Sequence, residues 1–231
     1  MLNFNQYDYL SFDCYGTLID WERGIVDALR PVLACHGVTR SDEEALNIFG
    51  EVESTIQRGP YRPYREVLAA TLDGIGERLG FTPSEDERTA FGSSVKDWPA
   101  FPDSAEGLKT LSTRFKLVIL SNIDDDLFAY SAKRLGVEFA DIITAQQAGS
   151  YKPNPHNFEL LLGRTGNQPD RLLHVAQSLF HDIAPAKSLG LTTVWVNRRH
   201  DRPGFGATPP ATATPDLEVP DLRTLAELAT K

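Results

Sequence analysis

Short apolar runs punctuate the chain at Tyr9–Asp13, Lys116–Leu120, Asp141–Thr144, Leu172–Ala176 and Thr192–Val196, and their length and flanking turn residues predict strands. Helical periodicity fills the intervals near Leu127–Leu135, His156–Arg164 and His181–Leu189. Strand–helix alternation with short connections predicts a parallel sheet built from βα units. The stretch from Trp21 to Trp98 breaks this rhythm. It carries helical periodicity and divides into Trp21–Cys35, Ser41–Gln57, Arg62–Leu79 and Ser84–Asp97, separated by Gly37, Gly59-Pro60 and Gly80 with Pro83. Such pieces make a helix bundle. The expected organisation is therefore a sheet domain of residues 1–19 and 99–231, with a helical cap of residues 20–98 inserted after the first strand. A bundle placed there closes over the tip of that strand as a lid. The segment Asp201–Pro215, rich in proline and glycine, is expected to be an exposed loop, and a last helix is expected near Asp221–Ala229.

Composition narrows the class of partner. At 231 residues the chain is one large domain or a domain with an insertion, and 41% hydrophobic with 24% charged residues is ordinary for a globular protein. A net charge of −9 argues against nucleic acid and anionic membrane as partners. The longest acidic run, Asp124-Asp125-Asp126, reads as a helix cap rather than a metal site, because adjacent side chains diverge. Two cysteines, Cys14 and Cys35, form no disulfide or zinc pattern. No basic leader with a long apolar stretch is present and no apolar run reaches spanning length, so a cytoplasmic location is expected.

Candidate chemistry lies at the strand tips. Asp13 follows the first strand in Phe12-Asp13-Cys14-Tyr15-Gly16-Thr17-Leu18, Ser121-Asn122 follow the second, Lys152 follows the third, and Gln177-Ser178 with Asp182 follow the fourth. In a parallel sheet these ends share one edge and can converge on one crevice. An Asp held at a strand tip beside a hydroxyl and backbone N–H groups can act as a nucleophile. Each residue also has a plain structural reading. Asp13 fits a turn, Ser121-Asn122 a helix cap, Lys152 a loop, and Asp182 a first-turn acid favoured by the helix dipole. The ordered set carries the functional reading.

With these residues in place the chain resembles the haloacid dehalogenase superfamily over nearly its whole length. The family's first-strand Asp with Gly-Thr, its Ser/Thr, its Lys and its acidic motif match Asp13-x-Tyr15-Gly16-Thr17, Ser121-Asn122, Lys152 and Gln177–Asp182. The resemblance implies an α/β fold, a Rossmann-like parallel-sheet core with a helical-bundle cap. Phosphatase members usually carry an acid where Tyr15 stands, and a second acid, which helps hold Mg²⁺, where Gln177 stands. A hard cation needs such oxygens, so both changes resemble the 2-haloacid dehalogenase branch, which attacks carbon without metal or other cofactor.

What the resemblance then implies is a mechanism on a small-molecule carboxylate. Asp13 attacks C2 of a 2-substituted carboxylic acid, and the aspartyl ester is hydrolysed by water near Asp182. Lys152 keeps Asp13 ionised, and Thr17 positions it. Ser121 and Asn122 orient the substrate carboxylate or stabilise an oxyanion, while Tyr15, Gln177, Ser178 and Trp21 belong to the substrate wall, with Tyr61 and Tyr64 as further wall candidates. The family's cap arginine for halide has only Arg40, Arg58 and Arg62 as candidates, and Phe158 stands where the dehalogenases have a tyrosine. An acid such as Glu51 near the site would instead suit an amine leaving group, as in ring opening of L-azetidine-2-carboxylate. Glu51 and Glu53 equally fit a solvated helix face. The same scaffold would also suit a Mg²⁺-dependent phosphatase or a non-catalytic binding protein. Dimers are frequent among relatives, so a homodimer is a further expectation, and His181 is expected as an exposed first-turn residue.

Overall fold

The structure is a computed structural model that describes residues 2–202 and 204–231. Six parallel strands form one sheet in the order β3-β2-β1-β4-β5-β6. They are β1 (Tyr9–Phe12), β2 (Lys116–Ser121), β3 (Asp141–Thr144), β4 (Leu172–Ala176), β5 (Thr192–Val196) and β6 (Leu217–Val219). The central strands are buried on both faces, which is why they read as apolar runs rather than as alternating ones. One face buries Leu10, Phe12, Ile119 and Val175, and the other Val118, Leu120, Ile143 and Leu172. This is the parallel sheet that the strand–helix alternation predicts and the Rossmann-like α/β core that the resemblance implies.

Between β1 and β2 run α1 (Trp21–Cys35), α2 (Asp42–Gln57), α3 (Tyr64–Leu79), α4 (Glu85–Gly92) and α5 (Ser104–Leu111). Ser41 with Glu44, and Ser84 with Glu87, close reciprocal capping boxes that start α2 and α4. The expected helix Ser84–Asp97 stops at Gly92 and continues as a 3₁₀ turn over Ser94–Asp97. The chain leaves and re-enters the sheet at one place. Ile19 bridges Ala100, Asp20 N–H donates to the Pro99 carbonyl at 2.8 Å, and Phe101 N–H donates to the Leu18 carbonyl at 3.0 Å.

The remaining helices are α6 (Asp125–Leu135), α7 (Ala145–Ala148), α8 (Pro155–Arg164), α9 (Ala184–Ser188) and α10 (Leu222–Ala229). The acidic run before α6 behaves differently from the expected cap. Asp124 stands at the cap position but makes no capping bond. Its carboxylate accepts from the Tyr64 N–H at 2.7 Å and the Tyr61 hydroxyl at 3.1 Å, tying the start of α3 to the sheet domain. The loop after β5 is also not exposed throughout. Ala207 and Thr208 are buried, the Ala207 carbonyl packing where a side chain on Gly50 would have to go; Pro203 lies outside the described residues. Among the described residues no helix is long and apolar enough to cross a membrane.

Candidate active site

β1 ends at Phe12, so Asp13 is the first residue beyond the sheet. Its N–H still donates to the Val175 carbonyl at 3.1 Å, which anchors the turn to β4. The chain then reverses through Gly16 at φ +95, where Trp21 and Gln177 crowd the place a side chain would take, so glycine serves both the conformation and the space. Thr17 returns beneath the carboxylate. Its hydroxyl donates to Asp13 Oδ2 at 2.7 Å and accepts from the Gln177 N–H at 2.8 Å, joining the first motif to the fourth.

Lys152 is the centre of the charge arrangement. Its side chain is 1% exposed, and Nζ donates to Asp13 Oδ1 at 2.9 Å, Asp182 Oδ1 at 2.7 Å and the Leu120 carbonyl at 2.8 Å. All three ammonium protons are thereby used, as burial of a charge requires. Burial opposes the Lys152 charge, but the two carboxylates outweigh it and hold its pKa above the usual lysine value. Burial likewise pushes the Asp182 carboxyl up, and Lys152 with His174 overcomes it and keeps the group below the ordinary range. For Asp13 burial prevails: its pKa is raised against the pull of Lys152 and Thr17, with the Asp182 charge adding to the rise. The outcome is a basic carboxylate beside a less basic one, held apart by one cation.

Asp182 has a second support. His174, wholly buried in β4, contacts Asp182 Oδ1 through Nε2 at 3.1 Å and Ser11 Oγ through Nδ1 at 2.8 Å. Both bonds to Asp182 fall on Oδ1; Oδ2 is buried with no hydrogen-bond partner among the described residues. A buried carboxylate oxygen without a partner is a strong acceptor for any proton donor admitted to it.

A cavity of about 30 Å³ lies over Asp13, with room for a water or two. Asp13, Tyr15, Trp21, Asn122, Lys152, Gln177, Ser178 and Asp182 all line it, so the strand-tip residues do converge. Thr17 lies behind Asp13. Ser121 is different: it is buried at the end of β2 with its Oγ unpartnered, off the cavity wall. Asn122 lines the cavity, but its amide holds the Lys152 backbone. The Tyr15 hydroxyl is hydrogen-bonded to Ser131 at 2.9 Å, leaving its ring as wall.

Five further residues line the cavity. Glu53, Gln57 and Tyr64 form the side contributed by α2 and α3, and Thr208 comes from the loop after β5. Glu53 is buried rather than on a solvated face, whereas Glu51 lies outside and pairs with Arg78. His181 is not exposed either: it lines the cavity, its Nδ1 is 3.1 Å from Ser178 Oγ, and burial pushes it down to about 4. None of Arg40, Arg58 and Arg62 lines the cavity.

The donor set does not fit a divalent cation. The carboxylates of Asp13 and Asp182 already share the Lys152 ammonium, and the further position offers the amide of Gln177. Among the described residues no group of three His, Cys, Asp or Glu is placed to hold a metal.

A parallel sheet thus gathers a carboxylate–lysine–carboxylate cluster from the segments that follow β1, β3 and β4. The chain belongs to the haloacid dehalogenase-like hydrolase family, whose model matches residues 7–190. It is 27% identical over 207 residues to (S)-2-haloacid dehalogenase 4A of Burkholderia cepacia, covering 86% of each chain. Haloacetate dehalogenase H-2 of Moraxella sp. (strain B) is 28% identical over 225 residues, covering 95% of this chain and 96% of the relative. The fold is shared with the crystal structure of the L-2-haloacid dehalogenase from Xanthobacter autotrophicus, at a TM-score of 0.79 and 21% identity over 96% of this chain and 98% of that one.

Proposed function

We propose that this hydrolase works without metal, through attack of Asp13 on C2 of a small 2-substituted carboxylic acid, in the manner of the 2-haloacid dehalogenases among its relatives. The observation that carries this reading is that Tyr15 and Gln177, which stand where metal-dependent members carry acids, line the cavity beside Asp13. The buried Lys152, bonded to Asp13 on one side and Asp182 on the other, is then the cation of the site.

Residues 20–98 act as the cap and residues 1–19 with 99–231 as the core. Asp13, fixed by Thr17 and Lys152, displaces the leaving group in line and becomes an ester. Its raised pKa makes it the better nucleophile of the two carboxylates. The lower pKa of Asp182 keeps that group ionised, and its free Oδ2 takes a proton from the water that attacks the ester carbonyl. Gln177, Ser178, Tyr15 and Trp21 form the substrate wall.

The test is a turnover panel of L- and D-2-chloropropionate, fluoroacetate, L-azetidine-2-carboxylate and p-nitrophenyl phosphate, run in EDTA and again with Mg²⁺. Turnover of a carboxylate in EDTA, abolished by Asp13→Asn, is expected. A single turnover in ¹⁸O-labelled water should leave the label in Asp13. Activity confined to the phosphate and dependent on Mg²⁺ would overturn the reading.

A further inference from the structure

In-line displacement places the leaving group opposite the nucleophile. Asp13 lines the cavity from the tip of β1, and Glu53 and Gln57 of α2 with Tyr64 of α3 line the same cavity from the helical segment. Within this trio the bonds run one way. The Tyr64 hydroxyl donates to Glu53 Oε1 at 2.7 Å, and Gln57 Nε2 donates to the same oxygen at 3.0 Å. Glu53 Oε2 has no hydrogen bond among the described residues. A neutral Glu53 therefore carries its proton on Oε2, the atom left free at the cavity. The lining side chains include three carboxyl groups and one ammonium, and the ammonium is committed to Asp13 and Asp182. A bare anion departing toward Glu53 meets no cation there, whereas a basic atom meets an acid.

Resting on the carbon-attack reading above, we propose that neutral Glu53 is the hydrogen-bond donor of the first step, and that the site is built for a basic leaving atom on C2, fluoride being the smallest, rather than for chloride or bromide. An Asp13 oxygen bonds to C2 as the C2–X bond breaks. The electron pair goes to X, which leaves as the anion while the Oε2–H of neutral Glu53 donates a hydrogen bond to it, a bond worth more to fluoride than to chloride. Water then attacks the Asp13 carbonyl carbon, the 2-hydroxy acid leaves, and the one proton released departs with X. Burial, against the hydrogen bond from Tyr64, raises Glu53 to about 7, which keeps the acid available near neutrality.

The test compares 2-fluoropropionate with 2-chloropropionate in wild type and Glu53→Gln, a variant of equal size that still accepts both bonds but offers only a weaker amide donor. Glu53→Gln should lower the fluoride-to-chloride ratio of kcat by about tenfold, the worth of one strong hydrogen bond. Equal losses on both substrates, or none, would overturn the role of Glu53 and leave the Asp13 reading standing. No wild-type turnover of either acid would overturn both. A measurement on wild type alone guards against a variant that fails to fold: kcat for 2-fluoropropionate should fall above pH 7 while kcat for 2-chloropropionate holds. Tyr64, Asp13, Lys152, Asp182 and His181 also face the cavity. They act on both substrates, so only the difference between the two profiles reports Glu53. Parallel profiles would overturn the proposal.

Discussion

Asn122 and Lys152 are joined by two hydrogen bonds of opposite sense: Asn122 Oδ1 accepts from the Lys152 N–H at 2.7 Å, and Asn122 Nδ2 donates to the Lys152 carbonyl at 3.1 Å. The residue after β2 thus fixes the backbone from which the ammonium reaches Asp13. Asn122→Asp keeps the acceptor, loses the donor and adds a carboxylate. It should cost about 1–3 kcal/mol of stability for the unpaired carbonyl and lower kcat at least tenfold by misplacing Lys152. Thermal unfolding with steady-state kinetics on the best substrate checks both.

Removing the cation has a larger effect with a particular pH dependence. Lys152→Met leaves Asp13 and Asp182 buried with no counter-charge, and should cost about 3–5 kcal/mol at pH 8 with loss of turnover. In wild type Asp182 is held below its ordinary range. Without Lys152 both carboxyls rise above their unfolded values, so stability is lost as pH increases through the new folded values. The deficit should accordingly shrink between pH 8 and pH 5. Urea titrations at the two pH values measure it, and a deficit independent of pH would contradict the assignment.

Asp182→Asn separates the two chemical steps. On the proposed mechanism ester formation needs Asp13 and hydrolysis needs Asp182 Oδ2, so the variant should accumulate the Asp13 ester. Intact-protein mass spectrometry after mixing should reveal an adduct on Asp13 that decays about 100-fold more slowly than in wild type. Rapid decay would move the water-activating role elsewhere, with His181 the next group on the wall.

Glu53 should also register in stability. Its folded pKa of about 7 exceeds the ordinary 4.5, so its contribution is fully present below pH 4.5 and is lost as pH rises through 7. Glu53→Gln does not titrate. Relative to wild type it should gain stability across that window, by about 3 kcal/mol at 1.36 kcal/mol per pH unit. The difference between the two stability curves isolates this group from every other titrating residue.

The sheet and the four strand-tip motifs were legible in the sequence because buried parallel strands read as apolar runs and their polar tips stand out against them. β6 and α5 were not, since Leu217–Val219 is too short and mixed to signal a strand and the buried face of Ser104–Leu111 includes Ser104 and Gly107 beside Leu108 and Leu111, a weak apolar stripe. His174 left a trace that could have been used. It stands in register with Ser11, the polar residue of β1, and two such positions side by side in apolar strands mark a hydrogen-bonded pair.

Glu53 also followed a readable rule. It continues the stripe of Leu46 and Phe49 at helical spacing, on the face of α2 that is buried. Its charge invited the solvated reading, but its position in the helix period determined its place. The roles of Asn122 and Asp124 could not be read, because each bonds a segment remote in sequence, Lys152 for one and Tyr61 with Tyr64 for the other.

The pairing of Leu18–Asp20 with Pro99–Phe101 has an evolutionary consequence. Segment 20–98 departs from the sheet and rejoins it through neighbouring residues, so its two ends are closed on each other whatever lies between them. Asp13, Lys152 and Asp182 all belong to the other side of that closure. Helices can be lengthened, shortened or exchanged within the segment while Asp13 keeps its place. Selection can thus remodel what the enzyme accepts without reopening how it reacts.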